Sequence, residues 1–261
     1  MIPHTIREIN ELPDAEKWDI YITLIPDWLY QRFSIDRDTL TVKGEPVVEI
    51  IAPKGSRSFE ISVFHRMDAP EPVLYAHLAD NSMGQLMVLM VVMSDPEAPR
   101  FYIDRMPDGE QTYWGTAKRN IPEEIRALEA GMAPGQVRAG LRGFRRAVPF
   151  FEEFVGKMQH DLFLIEPLSY HNAIVFERYG FGYMHGKSEM QWIHEAFQPG
   201  GELYLRLDDS SPFRPPNAWK SIRGRSWAIH DGIMGYAFTG FHMYKRIGKS
   251  ANINTFPDAT W

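Results

Sequence analysis

The sequence predicts a mixed α/β fold with a largely antiparallel sheet flanked by helices. Three observations carry that expectation. Between residues 46 and 106, short apolar and β-branched segments are separated by turn residues. From Val137 to Met158, apolar residues recur at intervals of three and four, the spacing of a helix facing a core. Leu162 to Glu166 then reads as a short apolar strand stopped by Pro167, so a strand returns to the sheet after the helix.

The elements follow in order. Asp14 to Phe33 places Trp18, Tyr21, Leu24, Trp28, Leu29 and Phe33 at roughly helical spacing, with Pro26 as an interruption, so one or two short helices are expected. Pro46–Ala52 and Ser58–His65 read as strands, and in the second Phe59, Ile61 and Val63 alternate with Glu60, Ser62 and Phe64. Val73–Leu78 is a third strand. Gln85–Met93 is almost wholly apolar and reads as a central strand buried on both faces. Arg100–Met106 is a further expected strand. Asn120 is placed to cap a helix with Pro122 in its first turn and Gly131 beyond its end. The long helix is expected from about Gly135 to His160, with Pro149 as a kink or break. Asn172–Tyr179 reads as a short helix ended by Gly180. Ser188, with Gln191 in capping-box position, opens another before Pro199. Glu202–Leu207, Trp227–Ile229 and Tyr236–Tyr244 are expected to add strand. The division expected is a core over 1–200, including an N-terminal addition, and a C-terminal strand and loop extension over 201–261.

Composition narrows the function classes. A net charge of −6 argues against a general nucleic-acid binder, which carries a basic excess. No cysteine is present, which removes disulfides, thiolate metal ligands and a cysteine nucleophile. The N-terminus shows no basic stretch leading into an apolar one, so no signal peptide is read. The longest apolar run, Leu86–Met93, is too short to cross a bilayer. A cytoplasmic location, a small-molecule substrate, no membrane partner and compatibility with a homodimer are the resulting expectations. Thirteen Met and seven Trp point first to a large core and second to an adaptable binding surface.

Motifs add a resemblance. The segment Phe176-Glu177-Arg178-Tyr179-Gly180-Phe181, preceded by Asn172-Ala173 and by the helix and strand above, resembles the ending of the core of the GNAT superfamily of acyl-CoA N-acyltransferases. The resemblance spans roughly Phe59 to Met184 and is most specific over its last fifty residues. It implies acetyl-CoA or another acyl-CoA as cofactor, held where a loop of pattern Arg/Gln-x-x-Gly-x-Gly/Ala opens the long helix. Aligned on Gly143, Arg138 takes the first position, Leu141 stands where the family has its central glycine, and Gly140 lies one place away. Arg138, Gly140, Arg142, Gly143 and Asn172 are the implied cofactor-binding residues. The family's glycines let backbone N–H groups approach a pyrophosphate at a helix N-terminus. Leu141 would crowd that approach and shift or weaken binding, whereas Arg138, Arg142, Arg145 and Arg146 could supply bidentate phosphate contacts or form only a solvated basic face. The family's proton-donating tyrosine before the Glu is Phe176 here. Glu166 and His171 are the position-based candidates for deprotonating an amine.

A second cluster lies in 219–235. Arg223 and Arg225 could clamp an anion, Trp219 and Trp227 could stack on a planar group, and His230 sits among them; the plainer reading is a turn-rich cover on the sheet. Nine histidines invite a metal, but none stand at His-x-x-x-His or His-Glu-x-x-His spacing, so no metal ligands are assigned. Three functions stay open: an acyl-CoA-dependent N-acyltransferase of unknown acceptor, a catalytically inactive GNAT-like ligand-binding or regulatory protein, and a metal-assisted small-molecule enzyme using histidines.

Overall fold

A computed structural model describes residues 2–113, 115 and 117–261. Its elements, in chain order, are α1 (Ile6–Asn10), α2 (Asp14–Tyr21), α3 (Asp27–Phe33), β1 (Thr41–Val42), β2 (Glu45–Pro46), β3 (Val48–Ile51), β4 (Ser58–Val63), β5 (Leu74–Asp80) and β6 (Leu86–Met93). There follow α4 (Ile121–Glu129), α5 (Phe144–Lys157), β7 (Leu162–Ile165), α6 (Tyr170–Arg178), β8 (Gly182–His185), α7 (Lys187–Ala196), α8 (Ile222–His230) and β9 (His242–Arg246). Seven strands form one mostly antiparallel sheet in the order β3-β4-β5-β6-β7-β9-β8, and β1 pairs with β2 alone. The chain folds as two compact units, each drawn from separated segments: 1–97, 140–165 and 244–249 in the first, and 98–139, 166–243 and 250–261 in the second.

In the first unit, β3, β4, β5 and β6 make an antiparallel meander, and β7 joins β6 in parallel. A parallel neighbour requires a crossover, and α5 supplies it. Phe59 from β4 stacks on Tyr21 at 3.7 Å and meets Phe154 of α5 at 6.5 Å, so helix and strand residues share one aromatic core. Asn10 and Asp80, buried with that core, are satisfied. Asn10 donates to the carbonyls of Ser56 and Ser58 and accepts from Tyr21 Oη at 2.6 Å. The Asp80 carboxylate takes the first N–H groups of α1, from Ile6 and Arg7, both at 2.9 Å, which a helix N-terminus otherwise leaves unpaired.

In the second unit, Phe101, Ile103, Ala127, Phe213 and Trp227 form a core cluster. Trp227 stacks on Phe213 at 5.1 Å and donates its indole N–H to the Met132 carbonyl at 2.8 Å. Ser221 caps α8 by accepting from the Gly224 N–H at 3.0 Å. Gly224 is needed for close packing, since a Cβ there would stand 2.4 Å from the Ala218 carbonyl oxygen.

Several expected elements differ. Arg100–Met106 is turn rather than strand; Thr112 and Asn120 hold it by donating to the Ile103, Tyr102 and Arg105 carbonyls. Asn120 precedes α4 as expected, but its side chain is spent on that turn and not on the helix. The long helix begins at Phe144 and not near Gly135, because the backbones of Gly140 and Leu141 bond to the end of β6. Glu202–Leu207 contains a single 3₁₀ turn, Tyr204–Arg206. Trp227–Ile229 lies inside α8, a short apolar run whose type periodicity alone does not settle. The capping box at Ser188 is absent; α7 starts one residue earlier, after Gly186 in a left-handed conformation (φ 93°). Finally, β6 is central, but only its first three residues follow the buried pattern, and Leu89 and Val92 are exposed.

Candidate functional site

That exposure has a cause in the strand pairing. β6 has eight residues and β7 only four, and the two are in register solely at Met87↔Leu164 and Val88↔Ile165. Past Val88 the β7 side of β6 is open until its far end, where Ser94 bridges Gly140 and the Leu141 N–H donates to the Met93 carbonyl at 3.3 Å. Backbone direction alternates along a strand. The Ser94 N–H turns to β5, donating to Val73 at 3.1 Å, and the Met93 carbonyl turns away from β5. Val91, two residues before Met93, therefore points its N–H and carbonyl into the open stretch. Among the described residues neither group has a backbone partner there. A bulge adds to the opening: Leu78 pairs with Val88 and His77 with Met90, which leaves Leu89 as the extra residue.

Beside this gap lies the start of α5. Arg142 has a left-handed backbone (φ 52°) and Gly143 a right-handed one (φ −89°, ψ −8°), a change of hand that turns successive N–H groups toward one side. Among the described residues no side chain caps the helix, and its first turn carries no acidic residue. The N–H groups of Arg142, Gly143 and Arg145 have no recorded partner among the described residues. The side chains of Arg142 and Arg145 are exposed and form no ion pair among them either, while Arg146 stacks over Trp28 at 4.4 Å. The helix dipole and these guanidinium groups make this end attractive to an anion. Gly143 has a packing reason of its own, since a Cβ there would lie 2.4 Å from Trp28 Cζ2. The Trp28 indole N–H is buried beside it with no acceptor among the described residues.

Of the residues singled out for a cofactor, Gly140, Arg142 and Gly143 thus gather at one end of α5. Leu141 is buried, and its N–H donates to the Met93 carbonyl. Arg138 turns elsewhere and donates to the Ala98 carbonyl. Asn172 is half-buried in the first turn of α6.

The remaining candidates belong to the second unit. Glu166 is exposed and paired with His242 Nδ1 at 2.9 Å. His171 is buried, with Nδ1 at 2.9 Å from both Ser169 Oγ and Ser226 Oγ. Burial, with the nearby charge of His230, pushes its imidazole down to about 3, so it stays neutral at physiological pH and is a poor proton acceptor. Arg225 and Trp227 are inside the core, not on a recognition surface, because α8 is covered along most of its length. Arg225 lies 3.5 Å from the Phe256 ring centroid and donates to the Trp219 carbonyl at 2.7 Å, while its Nη2 has no partner among the described residues. Arg223 is bound to the Gly131 carbonyl, and Trp219 meets Tyr204 edge-on. The tyrosines near the motif are no easier to ionise: burial and Glu177 push Tyr183 far up, and burial pushes Tyr170 up to about 12.

A charged network in the second unit escaped the sequence reading. Glu124, buried on α4, accepts from His230 Nε2 at 3.2 Å and from Arg119 Nε at 2.9 Å. Arg119 also donates to Asp231 at 2.8 Å, and Asp231 accepts from Arg214 and Ser211, each at 2.7 Å. Burial alone would raise the Glu124 carboxyl, but the hydrogen bonds from His230 and Arg119 outweigh it and hold the group below the usual carboxylate range. The members are 112 residues apart at the extreme, so no local spacing announces them. Every carboxylate is satisfied, and the network reads as a clamp on the end of α8. Among the described residues no three or more His, Asp or Glu groups are arranged to hold a metal ion.

No family model, curated protein or solved structure matches the chain.

Proposed function

We propose that the protein is an acyl-CoA-dependent N-acyltransferase, with the thioester bound at the open stretch of β6 and the cofactor phosphates at the start of α5. The observation that carries this reading is the pairing gap. Among the described residues, a backbone N–H at Val91, fixed by the sheet and free on the β7 side, stands next to an uncapped helix end flanked by unpaired arginines. These parts suit a ligand with an anionic head and a polarised carbonyl on a linear arm. The free N–H groups of Arg142, Gly143 and Arg145 fit a phosphate, and Arg142 and Arg145 add charge-assisted donors. Leu141 is no obstacle to the fit, because its side chain is buried.

In this mechanism the acceptor amine nitrogen attacks the thioester carbonyl carbon. The carbonyl oxygen gains negative charge and accepts from the Val91 N–H, a donor already oriented and so needing no reorganisation. Collapse breaks the carbon–sulfur bond, leaving an amide and CoA thiolate; the proton lost by the amine ends on the thiol through solvent. No side-chain acid or base is required in the account, consistent with Phe176 and with a neutral, buried His171.

A thiol-release assay with acetyl-CoA and a panel of primary amines tests the proposal. Amine-dependent release of CoA with formation of the amide supports it. Binding of CoA without turnover across the panel would favour the second reading, a GNAT-like binding protein. Phe176, which has no proton to give where the family has a tyrosine, favours that reading specifically.

A further inference from the structure

A central strand of a sheet with helices on it is normally covered, yet the second half of β6 is not. Leu89 and Val92 are 38% and 37% exposed, and Met87, Met90, Val91 and Met93 are only half-buried. All six are apolar. The bulge singles out Leu89, which has no partner on β5, and the last β7 pair closes the ladder beside it at Val88 and Ile165. Seen from Val91, the stretch therefore has two directions. One leads through Val92 and Met93 to the cationic start of α5. The other leads through Met90 to Leu89 and ends against buried Val88 and Ile165.

Resting on the acyltransferase reading above, we infer that the acyl group this protein carries is a medium-length hydrocarbon chain, lying against Leu89, Met90 and Met87, and not an acetyl group. The occupant follows from charge and polarity together. An anionic head belongs at Arg142 and Arg145, which have no counter-ion among the described residues, and a polarised carbonyl belongs at Val91. Beyond Val91 the side chains, Met90, Leu89 and Met87, are all apolar. From Val91 to Leu89 the open stretch is about 7 Å long at the rise of a strand, more than a two-carbon group covers. Methionine side chains adapt to chains of different shape, which suits a linear acyl group better than a rigid ring.

Calorimetric titration of the full chain with CoA, acetyl-CoA, hexanoyl-CoA and octanoyl-CoA tests this. Each methylene buried against Leu89 and its neighbours should tighten binding about threefold to fourfold, so octanoyl-CoA should bind far more tightly than acetyl-CoA. In Leu89→Asp the dependence on chain length should vanish while the affinity for CoA itself stays within about twofold. Leu89→Ala should flatten the dependence partially, which keeps the test usable where the aspartate variant does not fold. Equal affinity of CoA and all three thioesters for the unaltered protein would overturn the inference and leave the acyltransferase reading standing. Failure of every one of the four to bind would overturn both.

Discussion

The Leu141 N–H donates to the Met93 carbonyl at 3.3 Å, and this bond ties the approach to α5 to the far end of β6. It sets the upper limit of the pairing gap, as the Val88↔Ile165 pair sets the lower one. It also explains why α5 starts where it does: the residues just before it serve the strand and not the helix.

The first prediction concerns the arginines at that helix start. Reversing both, Arg142→Glu with Arg145→Glu, should weaken CoA binding by about tenfold or more, and added salt should weaken binding to the unaltered protein in the same sense. Both side chains are exposed, so folding stability should change by only about 0.5 kcal/mol per site. Calorimetry and urea titration of the double variant measure the two effects separately.

Gly143 gives a packing prediction. With a Cβ placed 2.4 Å from Trp28 Cζ2 and 2.7 Å from Met93 Cε, Gly143→Ala forces one of them to move and should cost about 1–3 kcal/mol. In a Trp28→Leu background the same change should cost much less. A urea double-mutant cycle returning additive costs would show that Trp28 is not what excludes the side chain.

Glu124 gives a pH prediction. Its folded pKa is depressed, so the stability it contributes is present above the unfolded value, about 4.3, and is lost as pH falls through the folded value. Glu124→Gln should lower stability at pH 7 by about 1–3 kcal/mol and flatten the acid limb of the stability curve. The measurement is chemical denaturation from pH 7 to pH 3, compared between the two proteins.

His171 tests burial in the opposite chemical class. Its folded pKa is depressed to about 3, whereas an unfolded histidine titrates near 6.5. The unfolded chain therefore binds the proton first, and stability falls as pH drops from about 6.5 toward the folded value. Ring resonances of His171 in NMR should show no titration between pH 5 and 8. A midpoint near 6.5 would mean that the ring is accessible to water.

The strands and the crossover were readable because their patterns are local. Alternation in Phe59–Val63 marked β4, and the stripe from Phe144 to Met158 marked α5. The start of α5 was not readable, since Val137 and Leu141 keep helical spacing while Gly140 and Leu141 give their backbones to β6. The gap was half readable: Leu86–Met93 is long and Leu162–Glu166 short, but an apolar run carries no sign of where its partner strand stops. A bulge at Leu89 has no residue signature at all, for leucine is ordinary in a strand. Arg225 and Trp227 looked like recognition residues because they are dense in sequence. Helical winding of α8 turns them into the core, and a guanidinium can be buried there when aromatic rings cover it. The Glu124 network joins side chains from distant segments, which no spacing rule detects.

The Val91 N–H faces the open stretch of β6, and under the proposed function a thioester ligand takes it up. Site-resolved amide hydrogen exchange at Val91, with and without octanoyl-CoA, measures this most directly. The account predicts faster exchange at Val91 than at Ala76, its partner on β5, and at least about tenfold slowing when the ligand is bound. Strong protection of Val91 in the free protein, or protection that the ligand leaves unchanged while it binds, would contradict it.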